Sequence, residues 1–340
     1  MAGLAATFGS GAMTNPLQDV LRSKVILITG TNTTANHPII ANYVHEAVTK
    51  HGAKLIVIDP RRIKLVDFAD VWLQPLPGTN VAWINGLMHV IIAEKLQAQS
   101  YIDSRTTGFE ELKAVVAKYT PDYVSGITGI PAKDIVAAAR LFATSGPGAI
   151  LYAMGITQHT TGTNNVKSLA SLSMLCGYVG VEGGGVNPLR GQNNVQGACD
   201  VGGLPNVFTG YQPVTDQAVR EKFAKAWKVG KLDDKVGLTV TEMTAMGGKA
   251  IKALYIMGEN PMLSDADVHH VEKNLTALDF LLVQDIFLTE TAKLADVVLP
   301  SACFAEKDGT FTNTERKVLR VRKALDVPGQ IGRASCRERV

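Results

Sequence analysis

The sequence has 340 residues and no closely spaced pair of cysteines. Its four thiols, Cys176, Cys199, Cys303 and Cys336, stand far apart, and none shares the C-x-x-C spacing of zinc or iron–sulfur ligands. The chain therefore encodes neither kind of metal site by itself, and its cysteines read as ordinary thiols of a reducing compartment. It also lacks an apolar run near the roughly 18 residues needed to cross a bilayer; the best, residues 87–93, is far too short. No basic n-region of a signal peptide opens it. Net charge is small, +3 from 34 Lys and Arg against 31 Asp and Glu. Without residues 331–340, which hold three Arg and one Glu, the balance is 31 to 30, or +1. Nothing in it points to nucleic acid or another polyanion. Finally, no G-x-G-x-x-G occurs, so the glycines give no nicotinamide fingerprint.

What is present is an ordinary globular composition, 46% hydrophobic and 19% charged, long enough for about two domains. Residues 24–30 are a short apolar run ending in glycine, as a buried parallel strand reads. Pro38 opens a helix that reaches Gly52, and residues 54–59 are a second strand. This βαβ unit implies a right-handed crossover and a ligand crevice at the strand C-termini. A third strand is predicted at 69–73, and apolar residues at helical spacing mark 84–95 and 109–119, the latter ended by Thr120-Pro121. A helix at 131–144, a strand at 149–153 and a small-residue helix at 165–176 follow. Further on, helices are predicted at 217–227, at 265–277 with Ser264 as N-cap, and at 289–294 capped by Thr289. Strands are predicted at 249–258, 280–285 and 295–300, so a second doubly wound unit is expected.

Between these halves runs a glycine-rich polar loop, residues 177–203. Its stretch 187–200 carries six amide or acid side chains and one guanidinium, Arg190, with almost no apolar periodicity. So many donors and acceptors beside one cation suit a binding loop in which Arg190 grips a small anion, or else a plain solvated loop. At the strand ends stand Gly30 with Asn32 and Asp59 with Arg61. An acid closing a second strand has the chemistry to take ribose or guanine N–H groups, although taken alone the residues read better as a strand-to-loop turn with a capping acid.

The run from Arg190 to Asp200, Arg-Gly-Gln-Asn-Asn-Val-Gln-Gly-Ala-Cys-Asp, resembles the substrate-side loop of molybdenum- or tungsten-dependent formate dehydrogenases. So do Gly155-x-Thr-Gln-His-x-x-Gly162, Glu259-Asn-Pro, Gln284-Asp285, Ala295-Asp-Val-Val-Leu-Pro300 and the segment Glu306 to Arg316, in the family's order across residues 1–329. The resemblance implies two α/β doubly wound, mostly parallel-sheet domains of the molybdopterin oxidoreductase, DMSO reductase-like type: residues 1–190 and, in part, 191–329. It implies a bis-molybdopterin guanine dinucleotide with Mo or W. Formate would meet Arg190, and the cofactor neighbours would be Gly30, Asn32, Asp59, Arg61, Thr157, Gln158, His159, Gln192, Glu259, Asn260, Gln284, Asp285 and Asp308. No metal ligand is expected in this chain.

The same resemblance places the first fifteen residues just after the family's metal-binding Cys or selenocysteine, so that residue, a [4Fe-4S] cluster and a C-terminal cofactor domain are expected outside the chain. A parent that uses selenocysteine is one expectation. Residues 331–340 resemble a translated sequencing adapter. Electrons would pass to an NAD-, ferredoxin- or hydrogenase-linked partner, in the cytoplasm or, alternatively, the periplasm; no nucleic acid and no membrane span are expected. Alternatives are a nitrate-reductase-type enzyme and a non-catalytic iron–sulfur subunit like that of NADH dehydrogenase.

Overall fold

Strands that are apolar at every position, not every second one, must be covered on both faces. Val25–Thr29 (β1) is buried along its whole length, and Lys54–Ile58 (β2) along all but its first residue. With Val71–Leu73 (β3), Gly148–Tyr152 (β4) and Val186–Pro188 (β5) they form a parallel sheet in the order β3-β2-β1-β4-β5. The structure is a computed structural model and describes residues 2–327; the adapter-like tail with Cys336 lies outside the described residues.

The helices of this first unit are, in order, Ala2–Phe8 (α1), Thr33–Asn36 (α2), Pro38–His51 (α3), Asn80–Ala93 (α4), Gln99–Arg105 (α5), Phe109–Val116 (α6), Pro121–Thr128 (α7), Ala132–Thr144 (α8), Met154–Thr157 (α9) and Gly162–Leu175 (α10). α3 buries Ile40, Val44 and Ala47 with Ile26, Ile28, Leu55 and Val57 on one sheet face. Helices α4, α8 and α10 bury their apolar stripes with Leu27, Ile56, Ile150 and Val186 on the other. In α8 the buried positions are Ile135, Ala138, Ala139 and Phe142, the i, i+3, i+4, i+7 spacing of a single helix face. Each such Ile or Phe, fully enclosed, contributes about 1.5–3 kcal/mol.

Two local readings need correction. Thr120-Pro121 starts a helix where the sequence reading ended one: Pro121 fits the first turn, and the Thr120 hydroxyl accepts from the Tyr123 amide at 3.3 Å. Residues 177–203 are not all loop, since they contain β5 and Val195–Asp200 (α11). A three-residue strand carrying an Asn and a Pro shows no apolar pattern. Pro188 is tolerated because β5 is an edge strand.

Among the described residues the chain divides into two compact units, 2–195 with Asn313–Lys317, and Gln196–Thr312 with 318–327. The division falls at 195/196, where the sequence reading put it at 190/191, and a short segment beyond residue 312 belongs with the first unit. The second unit begins with a two-stranded piece, Val207–Phe208 (β6) against Gln212–Pro213 (β7). Helices Gln217–Trp227 (α12) and Val240–Ala245 (α13) follow. Three parallel strands, Ala253–Met257 (β8), Phe280–Asp285 (β9) and Val297–Pro300 (β10), form a sheet in the order β10-β9-β8. Pro261–Ser264 (α14) and Val268–Thr276 (α15) link β8 to β9. The N-cap of α15 is Asp267, accepting from the His270 amide at 3.3 Å, not Ser264, which donates to Asp265 at 3.2 Å. Ile256, Leu281 and Val283 pack with Val271 and Leu275 of α15. A hairpin, Gly309–Thr312 (β11) with Val318–Val321 (β12), ends the unit. No helix among the described residues is long and apolar enough to cross a membrane.

Candidate active site

In the first sheet, the connections run outward from β1 to β2 and β3, then return to place β4 on its other side. The crevice between the C-terminal ends of β1 and β4 is where such a sheet offers a ligand site. A cavity of about 800 Å³ lies there, walled by the ends of β1, β2 and β4 and by residues flanking Arg190. Its floor depends on two glycines. Gly30 leaves β1 with φ +59°, and a Cβ on it would lie 2.6 Å from the amide nitrogen of Ile156. A Cβ on Gly155 would lie 2.7 Å from the Gly30 Cα, and the Gly155 amide donates to the Gly30 carbonyl at 3.0 Å. The turns after β1 and β4 touch backbone to backbone, which only glycine allows.

Asp59 closes β2. Its backbone amide donates to the Leu73 carbonyl at 3.1 Å, and its carboxylate accepts from the Arg61 amide at 2.8 Å. Partial burial raises its pKa above the ordinary carboxylate value, with the Arg61 amide and guanidinium working the other way. A half-desolvated acid gains most from a ligand that brings N–H or O–H donors. Asn32 and Arg61 line the same cavity, as do Asn80, which accepts from the Trp83 indole at 3.1 Å, and His159, whose Nε2 meets the Gly155 carbonyl at 2.9 Å. In volume and donor set the cavity fits the nucleoside end of a dinucleotide.

Arg190 stands two residues past β5, half-buried, between cavity-lining Leu189 and Gly191. Its amide donates to the Thr314 hydroxyl at 3.3 Å, and that hydroxyl donates to the Pro188 carbonyl at 2.8 Å. Its carbonyl accepts from His37 Nε2 at 2.7 Å, and its Nη2 donates to the Gly11 carbonyl at 2.5 Å. Gly11 is in reach because the N-terminal segment lies along β5: the Thr14 hydroxyl accepts from the Val186 amide at 2.9 Å. Gly185, at φ +92°, leaves room for Thr14 and Asn15 beside the strand. Tyr152 is buried close by; burial pushes its phenol pKa up while the Arg190 charge opposes the shift.

Of the other residues singled out from sequence, Thr157 is half-buried in α9, and Gln158 and Gln192 are exposed; none of these three lines the cavity. In the second unit, Glu259, Asn260, Gln284 and Asp285 come together at the C-terminal end of the sheet, where the Gly258 amide donates to the Gln284 carbonyl at 2.9 Å. Burial, and secondarily Asp265, raises the Glu259 pKa. Asn260 has its side chain engaged, accepting from Thr291 at 2.7 and 3.2 Å and donating to Glu290 at 2.8 Å. Gln284 is buried against the Tyr255 hydroxyl, and Asp285 accepts from the Ile286 amide at 2.6 Å. Asp308 is exposed beside β11 and accepts from the Lys323 amide at 3.3 Å.

Among the described residues no cluster of three or more His, Cys, Asp or Glu side chains could hold a metal. Cys176 and Cys199 are buried and stand outside any disulfide, and burial pushes the Cys176 pKa up. Sequence reasoning passed over His37, Asn80, Tyr152 and Thr314. For His37 a signal existed: a histidine just before the proline that opens a helix, at a strand-end turn.

A doubly wound parallel sheet with a nucleotide-sized cavity at its switch point places the chain in a known class. It belongs to the molybdopterin oxidoreductase family, whose sequence model matches residues 3–331. Its relatives narrow the class. It is 56% identical over 330 residues to the F420-dependent formate dehydrogenase subunit alpha of Methanocaldococcus jannaschii, covering 97% of this chain and 48% of that protein. Identity is 54% to the F420-dependent formate dehydrogenase 1 subunit alpha of Methanococcus maripaludis, with the same coverage. It is 45% to formate dehydrogenase H of Escherichia coli, covering 96% and 46%. The chain thus spans about half the length of these relatives. Among solved structures, acetylene hydratase from Pelobacter acetylenicus shares the fold, with TM-score 0.76 at 24% identity over 98% of this chain and 48% of that one.

Proposed function

We propose that this chain is part of the alpha subunit of a formate dehydrogenase, and that the longer polypeptide oxidises formate to carbon dioxide and a proton with release of two electrons. One observation carries the reading: Arg190 is fixed at its amide, its carbonyl and its guanidinium while standing beside the cavity wall. A guanidinium grips a carboxylate through two parallel N–H bonds, which orients the C–H bond and offsets the anion's charge. Tyr152 and Leu189, both buried, keep water from that side. A bis-molybdopterin guanine dinucleotide carrying molybdenum or tungsten would supply the two-electron chemistry.

In the first unit Gly30, Asn32, Asp59 and Arg61 would hold one guanosine end, with His159 beside it and Thr157, Gln158 and Gln192 further along the cofactor. In the second unit Glu259, Gln284, Asp285 and Asp308 would serve the other dinucleotide, and Asn260 would do so through its backbone. The Cys or selenocysteine ligand and a [4Fe-4S] cluster would come from other parts of the longer polypeptide. For the acceptor, the F420 in the relatives' names ranks ahead of an NAD-, ferredoxin- or hydrogenase-linked partner, and the setting would be cytoplasmic.

Arg190→Lys in the full-length enzyme is expected to lower kcat/KM for formate by about tenfold to a hundredfold, the worth of a charge-assisted two-pronged contact. Formate-dependent dye reduction measures it, and an unchanged value removes Arg190 from the site. The 340-residue chain alone is expected neither to reduce dye with formate nor to retain metal.

A further inference from the structure

We propose that His37 is a positioning residue for Arg190: its Nε2–H, 2.7 Å from the Arg190 carbonyl, fixes the backbone from which the substrate-gripping guanidinium extends. The inference rests on the reading of Arg190 as the formate anchor.

A carbonyl only accepts, so the proton of the imidazole sits on Nε2, the nitrogen facing Arg190. The other nitrogen, Nδ1, is enclosed with no hydrogen-bond partner among the described residues, so among them the ring's tie to Arg190 is its one polar contact. The histidine is itself held from both sides. Its amide donates to the Thr33 carbonyl at 2.9 Å as the C-cap of α2, and Pro38 restricts its backbone from the following position. Such a side chain arrives at Arg190 from a rigid support 153 residues away in sequence.

Arg190 needs that support. It lies two residues beyond the end of β5, outside the register that strand makes with β4. Its amide and carbonyl are satisfied by side chains from remote segments, Thr314 on the amide and His37 on the carbonyl. The guanidinium is steadied separately, by the Gly11 carbonyl. A two-pronged contact tolerates little misplacement, so a residue that locks the backbone acts on how well formate is held.

The test uses His37→Ala, His37→Gln and Arg190→Lys in the full-length holoenzyme, with Thr314→Val as a second variant of the same clamp. His37→Ala is expected to raise the formate KM about tenfold, the scale of one lost buried hydrogen bond, with kcat changed less. His37→Gln, whose amide can still donate to the carbonyl, should return KM to within about threefold of wild type, and Thr314→Val should act as His37→Ala does. Normal KM in His37→Ala, or no rescue by His37→Gln, overturns the proposal while leaving the function standing if Arg190→Lys is impaired. An unimpaired Arg190→Lys overturns both.

A readout free of cofactor comes from trypsin, which cuts after Arg190. In the 340-residue chain, cleavage at Arg190–Gly191 should quicken about tenfold in His37→Ala and not in His37→Gln, measured against cleavage at exposed Lys231. Equal cleavage rates in wild type and His37→Ala overturn the proposal, whatever the kinetics.

Discussion

Asp59 carries the electrostatics of the cavity in the first unit. Its pKa is raised by burial, so the folded chain holds the proton to higher pH than the unfolded one, whose value is near 3.8. The ionised carboxylate therefore costs stability at neutral pH, and that cost vanishes once pH falls below the unfolded value. Asp59→Asn is expected to raise Tm by about 1 to 2 °C at pH 7, with the gain fading towards pH 3, and to weaken binding of guanosine diphosphate about tenfold. Melting curves at the two pH values and calorimetric titration check both halves. A variant that gains no stability at pH 7 would show that burial does not govern this acid. At this scale the residues that stand out at the strand ends of the sequence, Gly30, Asn32, Asp59 and Arg61, line one cavity together with His159. The sequence was silent where one residue serves another from far along the chain. Thr314 reaches Pro188 and Arg190 across more than a hundred residues, and no local pattern announces such a contact.

Among the elements, those with long, uniform signals were legible. β1, β2 and β9 are apolar runs, α3 has Pro at its start and Gly52 in the left-handed conformation at its end, and α12 lies at 217–227 as predicted. β5 escaped because three residues carry no period, and α7 was misread because a proline ends one helix as readily as it opens another. The junction of β1 with α9 makes a sharper test of what holds the cavity together. Gly30→Ala would force a side chain into φ +59° and against the Ile156 backbone, neither of which can yield cheaply. A loss of about 2–4 kcal/mol in urea unfolding is expected, together with loss of nucleotide binding. A variant that unfolds like wild type would mean that the turns after β1 and β4 can separate without cost.

For the whole molecule, the decisive asymmetry lies in the second unit's sheet. By register, Tyr255, Met257, Phe280, Leu282, Val297 and Leu299 share one face, and apart from half-buried Leu282 these are all exposed, Tyr255 and Met257 by more than half. The opposite face is packed on α15. Parallel sheets are ordinarily covered on both sides, and an apolar face of this extent is costly in water. The apolar strands and intervening helices of residues 249–300 predict a second doubly wound unit, and no local pattern in them names the residues that would cover this face. The relatives are about twice the length of this chain, and we propose that the other half of such a polypeptide covers this face. The 340-residue chain is therefore expected to bind the dye ANS strongly and to associate as its concentration rises, whereas the full-length enzyme should do neither. Tyr255→Lys with Leu299→Lys should reduce dye binding by the short chain without loss of its cooperative unfolding. Equal ANS binding by the short chain and the full-length enzyme would show that the rest of the polypeptide packs elsewhere.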